Sequence, residues 1–160
     1  MKPTLYLETT IPSFLTGRPS HDHLISGQQT ATRKWWRLRR SHFELFTSQF
    51  VVNEAARGDA KMAAKRLQLL RSVQKLAVTL EVDELARRVL EKHLLPLKAA
   101  VDAFHIATAT VHGMHFLLTW NCIHINNREI IPGVERLCSQ AGYPLPVICT
   151  PLELMGTSDL

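Results

Sequence analysis

Short apolar runs alternate with longer stretches of helical periodicity along the 160-residue chain. Thr4 to Leu7, Phe43 to Thr47, Leu76 to Leu80, Phe116 to Thr119 and Pro146 to Cys149 have the length and composition of buried strands. Between them the spacing predicts helices. Thr10-Ile-Pro12 reads as a helix start, with Thr10 as N-cap and proline in the first turn. Thr16 to His23 is a loop by composition, and Leu24 to Arg40 reads as a helix. Ser48 can cap a helix to Arg57, Gly58 can stop it, and Asp59 can cap Ala60 to Ser72, with Met62, Leu67 and Leu70 on the apolar side. Asp83 to Leu94 puts Leu85, Val89 and Leu90 on one face. After Pro96 a helix runs from about Leu97 to His112, ended by Gly113. Arg128 to Ala141 is the last long helix, ended by Gly142, and Pro151 to Met155 is a closing turn.

Strands alternating with helices imply a parallel sheet covered on both faces. In such folds the loops at the carboxyl ends of the strands form the binding crevice. No repeat or long linker divides the chain, so 1–160 reads as one domain with a core large enough to need no disulfides.

Composition narrows the classes. Apolar residues are 46% and charged residues 21%, which is globular. No apolar run is long enough to span a membrane. The apolar stretch at the N-terminus meets Glu8 too soon for a signal peptide, so a cytoplasmic location is expected. Cys122, Cys138 and Cys149 form no C-x-x-C pair and read as reduced thiols, and the usual zinc spacings are absent. His21-Asp22-His23 is most simply a solvated turn. The net charge of +5 is uneven: residues 1–53 carry acids only at Glu8, Asp22 and Glu44. That balance favours anionic partners, nucleic acid first.

Against this basic background, four polar groups fall where the crevice should be. Glu8 follows the first strand, and Asn121 follows the fourth. Glu54 lies in the helix after the second strand, and Asp102 opens a helix rich in alanine and isoleucine. Asp102 alone could merely complement the helix dipole, and Glu54 alone could be an ordinary surface glutamate. Asn121 alone would be a turn residue, and His105 reads as a packed or hydrogen-bonded histidine. Together the acids could hold a hard divalent cation. No serine elbow or phosphate-cradling glycine loop supports an unrelated hydrolase.

These four lie in segments that resemble the ordered motifs of the PIN domain. The segments are Leu5-Tyr-Leu-Glu-Thr-Thr10, Thr47-Ser-Gln-Phe-Val-Val-Asn-Glu-Ala55, Val101-Asp-Ala-Phe-His-Ile-Ala-Thr-Ala109 and Leu118-Thr-Trp-Asn121. The tail Trp120-Asn-Cys-Ile-His-Ile-Asn126 is similar to the VapC-like branch of toxin–antitoxin ribonucleases. The resemblance implies an α/β three-layer sandwich with a central, mainly parallel sheet, and an endoribonuclease dependent on Mg²⁺ or Mn²⁺. It implies Glu8, Glu54, Asp102 and Asn121 as catalytic residues, with Glu8, Glu54 and Asp102 as metal ligands. Thr9, Thr10 and Asn126 would position water or phosphate. RNA, an antitoxin protein and a second copy of the chain are the partners implied. Three departures stand out: Glu8 and Asn121 each replace the family's more usual aspartate, and His115 sits where this branch often has an acid. A PIN-derived RNA-binding or protein-interaction module with weak or no catalysis is the alternative.

The segment Arg33-Lys-Trp-Trp-Arg-Leu-Arg-Arg40 supplies RNA-contact candidates in Arg33, Lys34, Arg37, Arg39 and Arg40. Trp35 and Trp36 could stack on bases, but on a helix they point about 100° apart, and packing on the core is the competing role.

Overall fold

The structure is a computed structural model, and it describes residues 1–157. Among these residues five parallel strands form one sheet in the order β3-β2-β1-β4-β5. They are β1 (Thr4–Leu7), β2 (Glu44–Ser48), β3 (Gln74–Leu76), β4 (Phe116–Leu118) and β5 (Val147–Cys149). Among the described residues seven α-helices connect and follow them: α1 (Thr10–Thr16), α2 (His23–Leu38), α3 (Gln49–Ala55), α4 (Ala60–Leu70), α5 (Leu80–Glu91), α6 (Ala100–Val111) and α7 (Ile131–Gln140). The expected α/β architecture with a parallel sheet between helical layers is the one found.

Strand alternation sets up the layers. Tyr6, Phe46, Leu117 and Ile148 point to one side, into a core completed by residues of α3, α5, α6 and α7. Leu5, Leu7, Leu118 and Cys149 point to the other, where Ile11 of α1 and Trp35 of α2 meet them. Side chains of period 2 on a buried central strand allow both faces to be apolar. β1 is the hub, in register with both neighbours through Tyr6↔Phe46 and Tyr6↔Leu117. The chain leaves β1 toward β2 on one side and later returns to β4 on the other. The strand order therefore reverses beside the carboxyl end of β1, the position where open sheets bind ligands.

Several boundaries differ from the pattern. The third strand lies at Gln74–Leu76, not at Leu76–Leu80. Val78 and Leu80 are solvent-exposed, and Thr79 takes the Val82 amide on its hydroxyl, starting α5 three residues earlier than expected. An apolar run that faces water cannot be told from a buried one by composition. Leu97–Ala99 is a 3₁₀ turn ahead of α6, and α7 begins three residues late because Asn127 draws the amides of Glu129, Ile130 and Ile131 into a turn. Gly113 ends α6 as expected, at φ +65°, where the Met114 amide reaches the Ala109 carbonyl.

Candidate active site

Glu8 ends the buried strand β1 and is itself 3% exposed. One carboxylate oxygen accepts from the Thr10 amide at 2.7 Å. Thr10 therefore does not cap α1 with its own side chain, as its sequence position suggested; the carboxylate of Glu8 reaches the start of the helix, and the Thr10 hydroxyl accepts from the Trp120 amide at 2.8 Å. That bond ties the end of β1 to the loop after β4. No ion pair to Glu8 is found among the described residues. Burial raises the Glu8 carboxyl above its ordinary value, and nearby Glu54 adds to the rise, while His105 and the Thr10 bonds work against it.

Glu54 comes from α3, whose start is fixed by the Ser48 hydroxyl accepting from the Val51 amide. Its Oε1 accepts two short bonds, one from the Thr9 hydroxyl at 2.6 Å and one from His105 Nε2 at 2.6 Å. Burial pushes the Glu54 carboxyl up, but the hydrogen bond and charge of His105, helped by Thr9, outweigh it and hold the group below its ordinary value.

Behind Glu54 runs a buried polar chain. His105 Nδ1 lies 2.8 Å from the Tyr6 hydroxyl, which lies 2.7 Å from the Ser48 hydroxyl. His105 Nε2 faces Glu54, its Nδ1 pairs with the Tyr6 hydroxyl, and that hydroxyl pairs in turn with Ser48. Every member is satisfied, so the chain fixes the Glu54 carboxylate rather than destabilising the core. Burial raises the Tyr6 hydroxyl far above its ordinary range, so it stays protonated. The sequence marked Ser48 only as a helix cap and gave Tyr6 no role. The available signal was a tyrosine inside a fully buried strand, whose hydroxyl must find a partner.

Asp102 lies in the first turn of α6, one turn before His105. Its Oδ2 is 3.0 Å from Nδ1 of His124. Asn121 Oδ1 accepts from the His124 amide at 3.0 Å, so Asn121 makes the turn that aims His124 at Asp102. Sequence reasoning gave His124 no role beside Asp102; its place three residues after an Asx-type turn residue was the signal. Asn126 turns away and donates to Glu153 at 3.1 Å. The structure thus brings Glu8, Glu54 and Thr9 together, places Asp102 and Asn121 around His124, and leaves Asn126 on Glu153. Among the described residues no three His, Cys, Asp or Glu groups form a ready-made metal cluster.

A family model of the PIN domain matches residues 22–121, more than half of the chain. The chain belongs to the PIN domain family. PIN domains are typically metal-dependent nucleases, and the five-stranded parallel sheet between helices agrees with the family's fold. The match contains Glu54, Asp102 and Asn121 but begins after Glu8. Among curated proteins, none matches this PIN protein.

The basic segment of this PIN domain is divided. Trp35 is fully buried in the core, so it cannot stack on a base. Trp36 is half-buried, with the Arg40 guanidinium 5.0 Å from its ring centre. Arg33 donates to the Gly17 carbonyl at 2.9 Å, and Lys34 and Arg37 are exposed beside it on α2. Arg39 and Arg40 lead into β2 and so lie toward the amino-terminal edge of the sheet, since β2 runs parallel to β1 with Glu44 opposite Thr4. The acids stand at the other edge. Among the described residues no helix is long and apolar enough to cross a membrane.

Proposed function

We propose that this PIN domain is a Mg²⁺- or Mn²⁺-dependent endoribonuclease whose working carboxylates are Glu8, Glu54 and Asp102. The observation that carries the reading is Glu8, a buried carboxylate beside Glu54 and without an ionic partner among the described residues. A desolvated carboxylate facing another is costly unless a cation joins them. All-oxygen donors suit a hard cation that keeps several waters. Such a cation polarises the scissile phosphate and lowers the pKa of an attacking water. The protein's own part is positional. Thr9 and the His105–Tyr6–Ser48 chain hold Glu54, the Thr10 amide holds Glu8, and His124 holds Asp102. Asn121 acts through its grip on His124 and the Thr10–Trp120 tie beside it.

The test is cleavage of single-stranded RNA with Mn²⁺ or Mg²⁺, repeated after chelation and with Glu54→Gln. Activity that needs the metal and is lost in the variant supports the reading; metal-independent cleavage by the folded variant overturns it. A second reading, an RNA-binding module with weak catalysis, is favoured by one observation: Glu54 and Asp102 are each already engaged by a histidine, with no three groups among the described residues gathered as a metal cluster. Metal-dependent binding without cleavage would select it.

Within the family we assign the chain to the VapC-like branch on the segment Trp120 to Asn126, which makes it the cytoplasmic toxin of an antitoxin pair acting as a homodimer. Growth arrest on expression, relieved by the product of a small neighbouring reading frame, is the expected outcome. Unimpeded growth with active enzyme present would remove the toxin role.

A further inference from the structure

Two aromatic pairs lie in opposite layers, one joined to Glu54 through His105 and the other to Glu8 through Thr10. On one side Phe50 of α3 stacks on Phe104 of α6, with ring centres 4.8 Å apart and planes 33° apart. Phe50 also meets the edge of His105, the imidazole that holds Glu54. On the other side Phe14 of α1 lies 6.4 Å from Trp120, with planes 32° apart. Trp120 is pinned by its indole N–H to Thr32 and by its amide to Thr10.

The two pairs are built alike. Phe104 and Trp120 pack against the hydrophobic clusters of their own layers. Phe14 and Phe50 are half-exposed and belong to neither cluster among the described residues. Each is therefore a ring braced from behind by a second, anchored ring. α1 lies on one face of the sheet and α3 and α6 on the other, so Glu8 at the end of β1 falls between the layers. A rigid aromatic face keeps its area without losing side-chain entropy when a flat ligand covers it, and every nucleobase has such a face. Cations stand near both sides: Lys75 bonds to Gln49, the neighbour of Phe50, and Arg33 bonds to Gly17 at the end of α1.

We propose that Phe14 and Phe50 are the base-stacking platforms of this site, so that it takes RNA with unstacked bases on both sides of the phosphodiester it cuts. The inference rests on the ribonuclease reading for the position of the cut, but stacking itself is read without cleavage. A duplex, whose bases stack on one another, would leave both platforms empty. Specificity would then come from strand accessibility and from the stacking strength of the flanking bases.

The experiment uses the full chain and short single-stranded RNAs carrying 2-aminopurine at successive positions, with and without Mn²⁺. Binding should quench the fluorophore at the positions that meet Phe14 and Phe50. Phe14→Leu and Phe50→Leu should each remove the quench at one position and raise Kd or KM by about 5- to 150-fold, the range of one lost base stack. An abasic residue at the same position should cost the wild type a similar factor and the matching variant little, because one interaction cannot be lost twice. Phe14→Trp and Phe50→Trp keep the ring and should keep binding, which separates stacking from a folding defect. Equal quenching and equal abasic penalties in wild type and folded leucine variants would overturn the proposal, even if cleavage is normal. Quenching without any metal-dependent cleavage would uphold the platforms and overturn the nuclease reading alone.

Discussion

The two edges of the sheet handle charge in opposite ways. At the carboxyl edge, Glu8 is 3% exposed, Glu54 is held by two bonds of 2.6 Å, and Asp102 rests on His124. At the amino-terminal edge, Arg40 is exposed over Trp36, and His115, also exposed, shares bonds with Thr4. The first edge fixes charges in partly desolvated places, where electrostatic interactions are strong and each group needs a partner. The second leaves charges in water, where they steer and solubilise at little cost. Net charge alone, which is +5, points to the weaker edge.

The largest expected contrast is catalytic. Asp102→Asn keeps the shape of the side chain and its contact with His124 while removing a charge. RNA cleavage with Mn²⁺ should fall at least about 100-fold, in the range typical for removing one electrostatic stabiliser from an active site. A folded variant that cleaves like the wild type would place the chemistry elsewhere.

The next test probes what supports the carboxyl edge. Tyr6→Phe removes a hydroxyl buried between Ser48 and His105. Leaving two buried polar atoms short of a partner should cost about 1–3 kcal/mol, read as a lower urea midpoint with unchanged slope. Cleavage should also drop, because His105 loses the bond that fixes its orientation. A neutral effect on both would mean water replaces the hydroxyl.

Glu8→Gln should separate stability from activity. The folded-state pKa of Glu8 is raised, so the folded protein binds that proton more tightly than the unfolded chain does. The ionised group therefore destabilises the metal-free fold above the ordinary glutamate range, and the penalty disappears as pH falls through and below it. Glu8→Gln should stabilise the metal-free protein at neutral pH by roughly 1 kcal/mol, a rise of about 2–4 °C in Tm. The gain should vanish in acid, and cleavage should be lost. Glu54 has the opposite sign: its lowered pKa contributes stability above the ordinary glutamate range that is lost as pH falls through the folded value. Destabilisation by Glu8→Gln at neutral pH would show that its charge is already compensated.

The smallest effect belongs to the amino-terminal edge. Arg37 and Arg40 are exposed near the end of α2, and Arg40 precedes β2. Replacing both by Gln should change stability by less than about 0.5 kcal/mol. The slope of log binding against log salt should change by less than the roughly 0.7 expected for one single-strand phosphate contact. A change near 1.4, the value for two contacts, would extend the RNA path to this edge.

The sequence by itself determined the alternation of strands and helices, the parallel sheet, the turns at Gly58 and Gly113, and the positions of Glu8 and Asn121 after strands, Glu54 in the helix after β2 and Asp102 at a helix start. These follow from local periodicity, capping chemistry and chain order, which need no knowledge of distant contacts. Only the tertiary structure decided the partners: His105 for Glu54, His124 for Asp102, Tyr6 and Ser48 behind His105, and Glu153 for Asn126. It also turned Val78 and Leu80 to solvent, buried Trp35 but not Trp36, and set Phe14 against Trp120 and Phe50 against His105. The residues in each of these hydrogen-bonded pairs are separated by 22 to 99 positions along the chain. A side chain's hydrogen-bond partner and its exposure depend on which layer closes over it, and the pattern along one segment carries no record of that layer.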